Sequence, residues 1–170
     1  MATIQPPARL FDDNFLKFLP APLREPRRAW LAIPIAVALT LSGSLIISLL
    51  LKTIAPELPP PDMSQLKGLR GFIALDLLAP FFETLIMAGF LALFLRFMSP
   101  GAAIATSAIG WGIAHGSQAI IWGPVIAWPF LIFSTLYVVW RQRGFWSAVG
   151  VAATTHMLHN VYPSWVVAFG

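Results

Sequence analysis

Between Phe97 and Trp140 the chain carries no Asp, Glu, Lys or Arg, and the same holds from Ala29 to Leu51. A water-soluble fold cannot be built around such stretches, because each is long enough to cross the hydrocarbon of a bilayer, which takes about 20 apolar residues as a helix. Composition agrees: 58% of residues are hydrophobic and 11% charged, where a soluble domain carries about a quarter charged. Mean hydropathy is +0.76. Only helices and closed barrels satisfy their backbone groups inside lipid, and a barrel needs alternating polarity along its strands, which is absent. The fold class that follows is all-α, a polytopic transmembrane helical bundle with about five spanning helices.

The segments read as follows. Residues 1–28 form an N-terminal tail with Pro6, Pro7, Pro20, Pro22 and Pro26 and a dense share of the charged residues. Within it, Leu10 to Leu19 fits either a short interfacial helix or a loose tail. Residues 29–170 form the transmembrane domain. Its first segment, Ala29 to Leu51, reads as an uncleaved anchor helix, and Pro56, Pro59, Pro60 and Pro61 end it. Segment two runs from about Leu69 to Met98 and holds Asp76 and Glu83. Segment three, from about Pro100 to Ile121, holds His115. Segment four is Pro124 to Trp140, and segment five, from about Phe145, holds His156, His159 and Asn160 before Pro163.

The net charge of +4 does not point to nucleic acid, because the basic residues sit in short flanks between apolar runs, the pattern that sets membrane topology. Five spans put Arg9, Lys17, Arg24, Arg27, Arg28, Arg96, Arg141 and Arg143 on one side, and Lys52, Lys67 and Arg70 on the other. This predicts a multi-pass protein of the cell membrane with its N-terminus cytoplasmic and its C-terminus outside. Cysteine is absent, which removes disulfides, thiolate nucleophiles and cysteine-ligated zinc together.

All three histidines and two of the seven acids lie in apolar segments. Ionisable groups there are costly unless they face the bundle interior and find partners. At about 1.5 Å per residue, Glu83 lies roughly 20 Å from Arg96, His115 roughly 22 Å from Pro100, and His156 roughly 20 Å from Arg143, so three helices bring polar residues to one level. His156 and Asn160 are four apart and share a helix face. Gly112 and Gly116 bracket His115 in a small-xxx-small pattern that lets another helix approach. Glu83, His115, His156 and Asn160 are therefore the candidate site residues. His159, about 100° round the helix from Asn160, reads as structural. Asp76 reads as an interfacial partner for Arg70 or as the lining of an access route.

Phe82-Glu83, Trp111-Gly-Ile-Ala-His115 and His156-Met-Leu-His-Asn160 resemble the three motifs of the CPBP family, the CAAX protease and bacteriocin-processing group of intramembrane endopeptidases. The family pattern is Glu-Glu-x-x-x-Arg, then aromatic-x-x-x-His, then His-x-x-x-Asn. Phe130 to Gly144 also resembles the helix and turn before the third motif, so the resemblance covers roughly residues 76–165. Thr84 and Ala88 stand where the family has its second glutamate and its arginine. Loss of both members of an ion pair orphans no charge, whereas loss of one would.

The resemblance implies a metal-free intramembrane endopeptidase acting on a peptide or lipidated-protein substrate within the bilayer. Glu83 would activate a water, His115 would share or position it, and His156 and Asn160 would donate to the oxyanion. No cofactor is implied. Zinc held by Glu83, His115 and His156 is the chemical alternative. It lacks the His-Glu-x-x-His arrangement and a second acid to act as base. A proton-coupled carrier and a catalytically inactive membrane scaffold of the same fold are the alternatives from other classes. Five spans without an internal repeat argue against the carrier.

Overall fold

The computed structural model describes residues 8–170, and among them every regular element is a helix, with no strand. Five long helices form one bundle. They are α1 (Ala29–Ile54), α2 (Gly68–Phe94, with a π-helical turn at Ala74–Leu78), α3 (Pro100–Gly116), α4 (Trp122–Trp140) and α5 (Phe145–Phe169). Three of them, α1, α2 and α4 with its following turn, are long and apolar enough to cross a membrane, which corrects the five expected from the sequence. The reasons are local. α3 is only 17 residues long, because the chain turns at Ser117 instead of running on to Ile121. α5 has the length, with 25 residues, but Thr154, Thr155, His156, His159 and Asn160 dilute its hydropathy.

Helix ends follow from the sequence. The Ser99 side chain accepts from the Ala102 amide and Pro100 occupies the first helical position of α3, an arrangement suited to a helix start. The α4–α5 turn needs a residue at φ 109°, and Gly144 supplies it. α4 is the central helix: Phe130, Ile132, Phe133, Leu136, Tyr137 and Val139 are all buried. Glycines set its spacing from its neighbours. A Cβ on Gly112 would lie 2.9 Å from the Gly123 carbonyl oxygen, so α3 and α4 touch backbone to backbone just below His115. A Cβ on Gly43 would lie 2.0 Å from the Trp128 indole nitrogen, which donates to the Leu39 carbonyl at 2.8 Å.

Residues 8–28 are packed onto the bundle; the first seven residues of the expected tail, with Pro6 and Pro7, lie outside the described residues. Leu16, Leu19 and Leu23 are fully buried, carried by a 3-10 turn (Phe15–Phe18) and a single helical turn (Ala21–Arg24). Arg24 pairs with Asp12, Gln142 exchanges hydrogen bonds with the Ala8 backbone, and Arg143 donates to the Pro26 carbonyl. Asn14 and Phe15 lie against Gly101 at the start of α3. Residues 8–28, the α2–α3 turn and the α4–α5 turn therefore share one end of the bundle, and with them the eight basic residues grouped above.

Candidate active site

Glu83 on α2 lies between two histidines contributed by different helices. Its Oε1 is 3.9 Å from His115 Nε2 on α3, and its Oε2 is 3.6 Å from His156 Nε2 on α5. All three side chains are largely withdrawn from solvent, His156 most completely. Both separations exceed a direct hydrogen bond.

The histidines present opposite faces to the carboxyl group. His115 Nδ1 donates to the Trp111 carbonyl one turn back, at 3.0 Å. A neutral ring carries one proton, so that bond leaves His115 Nε2 as an acceptor directed at Glu83. His156 is the reverse. Its Nδ1 is buried and, among the described residues, has no hydrogen-bond partner. Orphaned buried N–H groups are rarer than orphaned acceptors, so the proton belongs on Nε2, where Glu83 can accept it. Glu83 thus has one donor and one acceptor beside it.

Aromatic side chains hold these rings. His156 stacks on Phe133 at 4.4 Å between centroids and meets Phe130 edge-on at 5.2 Å. Trp111 stacks on Phe130 at 4.4 Å, and Trp122 closes on His115 at 5.6 Å. The sequence motifs contain Trp111, but Trp122, Phe130 and Phe133 come from α4, where nothing distinguishes them from other apolar core residues.

Asn160 is engaged elsewhere. Its amide nitrogen donates to the Leu75 carbonyl at 3.0 Å, and the reason lies in Pro80. In the π-turn the Ala79 amide bonds back to the Ala74 carbonyl. The next carbonyl, Leu75, would in that register take the amide of residue 80, and a proline has none. Asn160 satisfies the carbonyl that Pro80 leaves open. His159 joins α5 to α1: its Nδ1 lies 3.0 Å from Thr40 Oγ1, whose hydroxyl donates to the Val37 carbonyl, so His159 is the donor to Thr40.

Asp76 is buried, and among the described residues it makes no ion pair with Arg70 and its Oδ1 has no partner, against the interfacial pairing expected. Thr84 is fully buried with its hydroxyl unpartnered among the described residues. Ala88, also buried, lines a cavity between α2 and α4. Glu83, His115 and His156 come near one another, yet among the described residues no group of three or more His, Cys, Asp or Glu is disposed to hold a metal ion.

No family model matches the chain, and no curated protein or solved structure does.

Proposed function

We propose that this protein is an intramembrane endopeptidase of the CPBP kind, in which Glu83 activates the water that hydrolyses a peptide bond. The observation that carries the proposal is the setting of Glu83: a carboxyl group inside an apolar bundle, flanked by an acceptor nitrogen of His115 and a donor nitrogen of His156. A water beside Glu83 gives one proton to the carboxylate and is oriented by the lone pair of His115 Nε2. As its oxygen attacks the peptide carbonyl carbon, Glu83 takes the proton and the carbonyl becomes an oxyanion. His156 Nε2–H, which lies 3.6 Å from Glu83 and has no direct hydrogen bond to it, donates to that oxyanion. Collapse breaks the C–N bond, Glu83 returns the proton to the leaving amine, and the products are a carboxylic acid and an amine. Asn160 acts through the backbone of α2, holding the turn that begins the helix bearing Glu83.

The membrane setting is supported by the outer surface. Leu45, Ile46 and Leu50 on α1, Phe82, Ile86 and Phe90 on α2, Ile113 on α3 and Trp165 on α5 are all exposed, an apolar girdle far beyond what a soluble monomer presents. The basic end of the bundle faces the cytoplasm by the positive-inside rule, with the N-terminus there and the C-terminus outside. The substrate is a peptide bond of a membrane-embedded or lipidated protein.

Replacement of each histidine tests the assignment. His115→Phe and His156→Phe keep the aromatic packing, and each is expected to lower the rate of peptide cleavage by purified protein by about 100-fold or more, the usual contribution of a positioned proton-transfer or oxyanion group. Cleavage at the unmodified rate by both variants would remove the histidines from the mechanism and defeat the proposal.

A further inference from the structure

On the side of α2 away from the histidines, a cavity of about 420 Å³ opens between α2, α4 and the start of α5, lined by Leu85, Ala88, Gly89, Ala92, Tyr137, Arg141 and Phe145. Its volume falls within the range of about 300–1,000 Å³ typical of small-molecule sites. The floor is one face of α2 made of small residues, and a Cβ on Gly89 would meet nothing within 4 Å. The other wall, with Phe145, carries the cavity's two polar side chains, Tyr137 and Arg141. Tyr137 is 1% exposed, lines this cavity, and among the described residues its hydroxyl makes no hydrogen bond. The Arg141 guanidinium lies over the Tyr137 ring, 6.0 Å from its centroid. Among the described residues Arg141 has no carboxylate partner, and the first seven residues contain no acid that could supply one.

We infer that this cavity is a binding site for an anionic phospholipid of the surrounding bilayer. Arg141 follows directly on Trp140, the last residue of apolar α4, and so stands at headgroup level when α4 crosses the membrane. From Ala92, near the same end of the bundle as Arg141, the floor runs about 10 Å back along α2 to Leu85, into the hydrocarbon. A ligand filling this shape presents a negative group to Arg141, an acceptor oxygen to the Tyr137 hydroxyl, and an apolar chain to Ala88, Gly89 and Ala92. A phospholipid with an anionic headgroup has all three, and basic pockets between membrane helices bind such headgroups. The excess of basic residues at this end of the bundle favours an anionic lipid over a zwitterionic one. The inference rests on the bilayer setting alone and is independent of hydrolysis at Glu83.

Thermal unfolding of the full chain in a neutral detergent tests it, with added dioleoylphosphatidylglycerol, dioleoylphosphatidylcholine or glycerol 3-phosphate. The quantity read is the shift that each addition produces in a given variant, so variants of different intrinsic stability remain comparable. Phosphatidylglycerol is expected to raise the midpoint by several degrees more than phosphatidylcholine, and glycerol 3-phosphate to leave it unchanged. Arg141→Gln should abolish the difference between the two lipids, Arg141→Lys should retain most of it, and Gly89→Leu, which fills the floor, should remove it with Arg141 intact. Equal shifts with the two lipids, a full difference in Arg141→Gln, or the same shift from glycerol 3-phosphate as from phosphatidylglycerol would each overturn the assignment.

Discussion

Asn160→Ala removes the donor that the structure gives to the Leu75 carbonyl, and its effect should depend on a residue it does not bond, Pro80. An unpaired buried acceptor costs about 1–3 kcal/mol, while interhelical hydrogen bonds in membrane bundles average about 0.6 kcal/mol with a maximum near about 1.7. Among the described residues the Leu75 carbonyl has no second donor, and Pro80 denies it one from its own helix, so a loss near the top of that range is expected, about 1.5 kcal/mol. In a Pro80→Ala background the turn can close in α register, where the Ala79 amide reaches Leu75 and the amide gained at position 80 reaches Asp76. There Asn160→Ala should cost little beyond its lost packing. Equilibrium unfolding in mixed detergent micelles, run as a double-mutant cycle, should give a coupling of about 1 kcal/mol, well outside the 0.3–0.5 kcal/mol or so within which independent sites add. Equal costs of Asn160→Ala in the parent protein and in the Pro80→Ala background would refute the account of the π-turn and return Asn160 to the groups facing the substrate.

Thr84→Val should stabilise the protein by about 1 kcal/mol in the same unfolding assay, because it removes a buried hydroxyl without a partner at nearly constant volume. A loss of stability would mean that Thr84 has a hydrogen bond in the membrane. Gly43→Ala should destabilise by about 1–3 kcal/mol, the usual cost of overpacking, since its methyl group would overlap the Trp128 indole; the loss should shrink when Trp128→Phe is made as well.

Much of the architecture was legible because hydrophobic length and proline are strong signals. Ala29, Pro100 and Phe145 start their helices where the uncharged runs and caps put them. The matched depth of Glu83, His115 and His156 is likewise a consequence of helix rise counted from the charged ends. Rise alone carries no azimuth, however. Asn160 shares the face of His156, but its partner was set by a π-turn whose cause, Pro80, was readable and whose geometry was not. Three features depended on tertiary context: Phe133 beneath His156, Thr40 as acceptor for His159, and the burial of Leu16, Leu19 and Leu23 against the bundle. The count of crossing helices failed for a related reason. The helix that carries more polar side chains than any other, α5, is the one whose composition least resembles a span.

Delivery of a water to a peptide bond by Glu83 is tested most directly with purified protein in liposomes. Transmembrane and lipidated peptides serve as substrates, in water enriched in oxygen-18, with the products read by mass spectrometry. The mechanism predicts cleavage that leaves one heavy oxygen in the new carboxylate. It also predicts a rate at least about 100-fold lower in Glu83→Gln, with an unfolding midpoint close to that of the parent protein. Cleavage at the same rate by Glu83→Gln, or no cleavage of any such peptide by a folded parent protein, would contradict it.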